Sequence, residues 1–211
     1  MKSTFKNFIF SALLTLTTLS ASAQMYINQY EPQATFERGL LLFENRHYAS
    51  ALECFENYLM MVDDKNDANI VMAKYYEAVS SLFLGNSNGE NKIITFVKEN
   101  PTHLMAEHAN FLYGNTLFNN KKYRDALRIY NKVDRESLNE EERYEYEFKK
   151  AYCYYQTNDI EKAEPIFEEL TMSDNPYRND ARYYYAHILY INESHDEALN
   201  YFNILKEDEK Y

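Results

Sequence analysis

Glycine and proline are scarce in this chain, which contains four of each among 211 residues, where average usage would give roughly 15 and 10. Because both residues interrupt regular structure, their scarcity favours helices joined by short connections over a fold of many strands and turns. Tryptophan is absent, yet there are 21 Tyr and 13 Phe. These rings are spread along the chain, which indicates a repeated structural requirement and not a single aromatic site.

Cysteine is also rare, and Cys54 and Cys153 are the only two thiols. The repeat described below places them three repeats apart. A disulfide needs its two Cα atoms within about 7 Å, so we expect two buried free thiols.

Positive charge is in short supply, since 22 Lys and Arg stand against 33 Asp and Glu and the net charge is −11. A chain this acidic is repelled by nucleic-acid phosphates and by anionic lipid surfaces, which disfavours both as partners. One stretch is locally basic, with the spacing of the solvated face of a helix: Lys121, Lys122, Arg124, Arg128 and Lys132.

The amino-terminal segment has the pattern of a secretory signal peptide. Two lysines precede an uncharged apolar run from Phe8 to Leu19, and the small residues of 21–23 follow it. We predict cleavage after residue 23, which makes Gln24 the first mature residue. The run is shorter than the roughly 20 residues that span a bilayer, so we expect no membrane span in the mature chain. An uncleaved anchor is the alternative.

A pattern that recurs every 35 to 39 residues is the strongest feature of the sequence. Each repeat has a small residue, at Gly39, Ala78, Gly114, Ala151 and Ala186. Twelve residues later stand Ala51, Glu90, Ala126, Ala163 and Ala198, and four beyond that Phe55, Ile94, Tyr130, Phe167 and Phe202. Small residues let two helices approach to about 8 Å, and a large residue one turn along fills the space beside the contact.

The columns predict five helix–turn–helix repeats, over about residues 32–66, 68–101, 104–136, 139–173 and 177–207. They form one repeat domain, 32–211, after a lead-in at 24–31. Asn139 and Glu142 have the spacing of a capping box at the start of repeat four. Glu90 replaces the usual Ala, and Pro165 removes a hydrogen bond inside a second helix. We therefore expect repeats two and four to be less regular than three and five.

Two stretches resemble the tetratricopeptide repeat family, whose unit has 34 residues. They are residues 111–115 (Phe-Leu-Tyr-Gly-Asn) with 123–127 (Tyr-Arg-Asp-Ala-Leu), and residues 148–167. The resemblance covers about residues 32–207, although the repeats here are longer. It implies an all-α, right-handed solenoid of helical hairpins whose first helices line a concave binding surface. The layout also resembles the amino-terminal part of larger secreted repeat proteins of Gram-negative bacteria, which implies a periplasmic or envelope location.

Residue patterns typical of catalysis or metal binding are missing from the sequence. His103 and His108 superficially resemble a helical zinc motif, but their separation of five residues turns the rings roughly 140° apart. The sequence has no phosphate-binding loop, nucleophile elbow or dinucleotide-binding motif. We expect no enzyme activity, no cofactor and no metal.

Positions that recur in every repeat are expected to form the fold, such as the aromatic column Phe36, Tyr75, Phe111, Phe148 and Tyr183. Positions on the same face of the first helices that vary between repeats are candidates for partner recognition. They lie one or five residues after the small residue, or six before it. From them we predict a partner-binding groove formed by Phe83, His108, Asn115, Asn119, Tyr152, Gln156, His187 and Ile191.

The sequence thus favours a non-catalytic scaffold of the bacterial cell envelope that binds another protein or a peptide segment along this groove. The two-Lys, two-Asn carboxylate clamp of some family members is missing, which disfavours capture of a free C-terminus. Carbohydrate binding is one alternative, because Tyr and Phe faces also stack on sugar rings. A structural role in a homo-oligomer is another, because the array reaches Tyr211 without a polar capping helix.

Overall fold

Ten α-helices and one short 3-10 turn make up the part of the chain that this computed structural model describes, residues 31–64 and 67–207. The predicted signal peptide and all of the lead-in but Glu31 lie outside the described residues. Those residues contain no strand, and the all-α fold of helical hairpins predicted from the sequence is confirmed. The helices are α1 Pro32–Glu44, α2 Tyr48–Met61, α3 Ile70–Phe83, α4 Gly89–Glu99, α5 Leu104–Asn119, α6 Tyr123–Tyr130, α7 Glu140–Gln156, α8 Ile160–Met172, α9 Arg178–Ile191 and α10 His195–Glu207.

The chain divides into two compact units, Met1–Lys92 and Ile93–Tyr211. In the first, α1, α2 and α3 pack against one another around a core that includes Phe36, Phe55 and Tyr58. In the second, each helix from α5 to α10 packs on the next, and α5 also contacts α7 directly.

The predicted column of small residues marks places where two helices touch. A Cβ added to Gly39 would lie 2.8 Å from the Phe55 ring, and one added to Gly114 would overlap the ring of Tyr130. The alanines of the second helices are fully or almost fully buried, at Ala51, Ala126, Ala163 and Ala198. Side-chain volume is therefore restricted on both helices of a hairpin.

The second hairpin departs from the predicted register by one residue. Gly89, Ile93 and Phe96 are buried, whereas Ile94, which the alignment placed in the core, is 49% exposed. The spacing of i, i+4 and i+7 is kept, but it starts at Gly89 instead of Glu90. The reason lies in the turn, where the Ser81 hydroxyl donates to Asn88 Oδ1 at 3.1 Å and accepts from Asn86 Nδ2 at 3.3 Å.

A turn of the same geometry closes each first helix. The seventh residue after the small residue has a left-handed backbone, with φ between 59° and 67°, at Arg46, Gly85, Lys121, Asn158 and Glu193. The N–H of the following residue donates to the carbonyl five residues earlier, as His47 does to Leu42 at 2.8 Å and Lys122 to Leu117 at 2.9 Å. This is the Schellman motif, which satisfies the last carbonyls of a helix.

The third hairpin is less regular than the sequence suggested. Its second helix, α6, has only eight residues and is followed by a 3-10 turn at Arg135–Ser137. The Asp134 carboxylate accepts from the Glu136 N–H at 3.1 Å, and the Ser137 hydroxyl donates to the Asp134 carbonyl at 2.6 Å. These local bonds stabilise the turn in place of another helical turn.

The fourth hairpin has its predicted capping box, but its second helix is continuous where irregularity was expected. The Glu142 N–H donates to Asn139 Oδ1 at 3.0 Å, and the Asn139 N–H donates to Glu142 Oε2 at 3.1 Å. The capping box is thus confirmed. Pro165 lies inside α8, which continues through it to Met172.

The aromatic column is buried only in part. Phe36, Tyr75 and Phe111 are core residues and Phe148 is half-buried, but Tyr183 is 42% exposed. The expectation that Tyr183 belongs to the core is wrong. Its neighbour Tyr184 stacks on the Phe167 ring, with the centroids 5.4 Å apart.

Both cysteines are buried free thiols, as predicted. Burial raises the pKa of Cys153 to about 12, and Arg38 Nε donates to Cys54 Sγ at 3.3 Å. Within the described ranges, no helix has the length and hydropathy needed to cross a membrane. Those ranges also contain no group of three or more His, Cys, Asp or Glu side chains placed to hold a metal ion.

Candidate partner-binding face

The position five residues after the small residue is exposed in every hairpin, at Glu44, Phe83, Asn119, Gln156 and Ile191. Each is the last residue of its first helix. In the first compact unit, the Phe83 ring lies 4.9 Å from Tyr48 and 6.3 Å from Phe43, centroid to centroid. Phe83 is therefore an exposed ring that packs against two other rings.

Three first helices, α5, α7 and α9, present the predicted groove residues of the second unit. We call their shared surface the groove face. His108 Nε2 on α5 lies 2.8 Å from Glu142 Oε1 on α7. Because Glu142 also closes the capping box, one carboxylate joins the start of α7 both to its own cap and to α5.

Asn115 joins three helices through its side-chain amide. Its Oδ1 accepts from the Tyr130 hydroxyl on α6 at 2.7 Å, and its Nδ2 donates to Glu145 Oε1 on α7 at 3.2 Å. Tyr130 is fully buried, and this burial raises its pKa, so the phenol remains protonated and able to donate. Asn115 is consequently oriented by the fold.

Lys149 is a residue of this face that the sequence did not single out. Its side chain is only 13% exposed, and its Nζ donates to Glu145 Oε1 at 2.5 Å. The ammonium also lies 5.3 Å from the centre of the Phe118 ring, a cation–π distance. Phe118 lies on a different helix from Lys149, so spacing along the chain did not reveal this contact.

Tyr152 is half-buried among rings from three hairpins. The distances from its ring centre are 5.5 Å to Phe118, 5.7 Å to Tyr123, 6.3 Å to Phe148 and 5.1 Å to Tyr184. Three of these four contacts are edge-to-face, a favourable geometry for aromatic pairs. Tyr152 therefore contributes to packing between hairpins as well as to the face.

His187 on α9 is paired with α7. Its Nδ1 lies 3.2 Å from the Tyr155 hydroxyl, and its ring lies 6.1 Å from that of Tyr183. Burial, as the largest cause, raises the pKa of Tyr155, which keeps that hydroxyl neutral. The groove face is thus cross-linked from α5 to α7 and from α7 to α9.

Residues 148–210 match the family model described as tetratricopeptide repeat. Residues 148–210 thus carry the sequence pattern of a tetratricopeptide repeat. No curated protein sequence is matched.

Solved tetratricopeptide structures share the fold at low sequence identity. YrrB, titled a TPR protein with an unusual peptide-binding site, is 16% identical with a TM-score of 0.64, over 90% of this chain and 93% of YrrB. MamA from Desulfovibrio magneticus RS-1 is 16% identical with a TM-score of 0.61, over 85% of this chain and 95% of that one. MamA AMB-1 is also 16% identical, with a TM-score of 0.66, over 85% and 92%.

The eight predicted groove residues fall into two groups on these hairpins. Half-buried residues that bond or pack across helices are His108, Asn115, Tyr152 and His187. Exposed residues at or near the ends of first helices are Phe83, Asn119, Gln156 and Ile191. Phe83 belongs to the first compact unit, and the other seven predicted groove residues belong to the second. A partner could contact the exposed residues without disturbing the packing between helices.

Proposed function

We propose that this tetratricopeptide chain is a non-catalytic scaffold that binds a segment of another protein along the groove face. The observation that carries the proposal is the exposed position five residues after the small residue. In the second unit that position holds two amides and an aliphatic residue, Asn119, Gln156 and Ile191. Side-chain amides can donate to and accept from a peptide backbone, and an exposed aliphatic side chain can bury apolar surface of a partner.

Rigidity of the surrounding face supports the same function. His108, Asn115 and His187 are held by side-chain bonds to neighbouring helices, so the face is ordered before a partner arrives. Binding to a pre-ordered surface avoids part of the entropy cost of association. YrrB, which has the same fold, is described as having a peptide-binding site, and that description supports a peptide-like ligand here.

The second part of the proposal is an envelope location reached by export. The pattern of residues 1–23 supports it, and that segment lies outside the described residues. Mass spectrometry of the protein from its own cell should find Gln24 at the amino terminus. A mature protein that retains residues 1–23 would contradict the export proposal but leave the binding proposal intact.

Site-specific photo-crosslinking tests the binding proposal. A photoreactive amino acid placed at Gln156 should form an adduct with one protein species in the producing cell. The same group placed at Asn200, an exposed amide on the second helix α10, is the matched control and should not form that adduct. Adducts only with a second copy of the chain would favour the homo-oligomer alternative. Adducts of equal yield at both positions would contradict binding by the groove face.

A further inference from the structure

A depression of roughly 490 Å³ opens beside the groove face, between the turns of the third and fourth hairpins. Residues 121–125 line one side and residues 156–158 the other. Gln156 belongs both to this depression and to the exposed group of the groove face. A single extended segment could therefore contact both.

The depression is basic although the protein is acidic. Three cationic side chains line it, those of Lys121, Lys122 and Arg124, and one carboxylate, that of Asp125. The formal charge of the lining is thus 3 − 1 = +2, against −11 for the whole chain. Asp125 Oδ1 also accepts from Arg128, 2.8 Å away, and this ion pair reduces its negative field.

Charge of this kind acts locally. At physiological ionic strength the screening length is about 8 Å, so a group inside the depression experiences the lining more strongly than the distant carboxylates. The two walls are also held in fixed positions by their turns. The left-handed residues Lys121 and Asn158 begin the two Schellman closures, in which Lys122 donates to Leu117 and Asp159 to Tyr154, both at 2.9 Å.

We infer that this depression binds the acidic side chains of the partner segment. The inference rests on the proposed function and deepens it, because it states the chemistry of the partner. The segment would pass along Asn119 and Gln156 and place one or more Asp or Glu carboxylates against Lys121, Lys122 and Arg124. A protein with an acidic stretch is then the preferred partner, in spite of the overall negative charge of the scaffold.

Fluorescence anisotropy with a labelled deca-glutamate peptide tests the inference on the purified full chain. We expect saturable binding at low salt that weakens as salt is added, because the contacts are ionic. The triple variant Lys121→Glu/Lys122→Glu/Arg124→Glu should bind at least tenfold more weakly. Glutamate is compatible with the backbone at position 121, since Glu193 has the same left-handed conformation in the last hairpin.

The matched control is Lys98→Glu/Lys132→Glu/Lys206→Glu, which makes the same change in net charge at exposed positions outside the depression. It should change the affinity less than twofold. Thermal melting by circular dichroism checks that both triple variants remain folded. Absence of saturable peptide binding, or equal loss of binding in the two variants, would overturn the inference.

The partner found by crosslinking at Gln156 separates this inference from the proposed function. A partner segment without Asp or Glu, or one unaffected by the depression variant, would refute the acidic-partner inference and leave the groove face as its binding site. Failure to find any groove-face partner would refute the proposed function. The anisotropy assay would still show whether the depression binds an acidic peptide, because it does not use the crosslinked partner.

Discussion

Single residues with a left-handed backbone determine where each first helix ends. Four of the five are not glycine: Arg46, Lys121, Asn158 and Glu193. A left-handed conformation costs a non-glycine residue about 1 kcal/mol or more. Residue type alone therefore does not predict this backbone at most of the five positions. Gly85 and Asn158 are the two whose residue types are typical of such turns. The common position of all five became clear only from the backbone.

Two glycines should respond differently to the same substitution. At Gly85 no atom of the described residues lies within 4 Å of an added Cβ, so Gly85→Ala should cost only the conformational term, about 1 kcal/mol. At Gly114 the Cβ would overlap the buried Tyr130 ring, and overpacking typically costs about 1–3 kcal/mol. Urea unfolding measures both free energies. Without the contact, Ala would stabilise this helix interior by about 1 kcal/mol relative to Gly, so a Gly114→Ala variant more stable than the parent would refute the close helix contact.

Cysteine reactivity should depend on unfolding. Cys54 and Cys153 are buried, and burial raises the pKa of Cys153 to about 12, so its reactive thiolate is rare in the folded protein. Raising the pH from 7 to 9 should leave alkylation of folded Cys153 slow, because pH 9 is still well below that pKa. In denaturant without reductant, both residues should be alkylated, as mass spectrometry can show. Rapid labelling of folded Cys153 would contradict its burial.

At the scale of an element, helix α4 shows where sequence reasoning succeeded and where it failed. The spacing of i, i+4 and i+7 was predicted and is present, but it begins at Gly89 and not at Glu90. A fixed interval between columns cannot show that a turn has lost one residue. The Ser81, Asn86 and Asn88 bonds that build the shorter turn are local to this hairpin, so they had no counterpart to align.

The corrected register can be tested with neighbouring isoleucines. Ile93 is fully buried and Ile94 is half exposed. Replacing a buried Ile by Ala typically costs 2–5 kcal/mol, so Ile93→Ala should be strongly destabilising, whereas Ile94→Ala should cost roughly 1 kcal/mol or less. Chemical denaturation of the two variants gives the comparison. If Ile94→Ala were the more destabilising of the two, the result would support the register expected from the repeat alignment.

The exposure of some candidate groove residues was predictable from the sequence, whereas the side-chain bonds of the others were not. Variation between repeats correctly selected exposed positions such as Asn119, Gln156 and Ile191. It could not show that Asn115 is bonded to Tyr130 and Glu145, because side-chain partners on different helices are set by the three-dimensional packing. The position of a residue on a helix predicts which way its side chain points. Whether that side chain packs against the fold or is available to a partner can be decided only from its contacts.

At the scale of the whole molecule, the half-buried residues of the groove face should contribute to stability, and its exposed residues should contribute to binding. Tyr152 contacts four rings, so Tyr152→Ala should destabilise the protein by about 1–3 kcal/mol, less than for a fully buried ring. Gln156 is exposed, and Gln156→Ala should stay within about 0.5 kcal/mol of the parent. Thermal melting of both variants checks this. Equal melting temperatures would mean that the Tyr152 cluster does not stabilise the hairpins.

The affinity of the chain for the protein crosslinked at Gln156 tests the central claim most directly. The variant Asn119→Ala/Gln156→Ala/Ile191→Ala removes the exposed group of the groove face in the second unit. The control Leu199→Ala/Asn200→Ala/Asn203→Ala removes two amides and an aliphatic residue from exposed positions on α10. By titration calorimetry, the groove variant should bind at least tenfold more weakly, since hot-spot residues contribute about 2 kcal/mol or more each, while the control should bind as the parent does. Unchanged affinity in the groove variant, or an equal loss in the control, would contradict binding along the first helices.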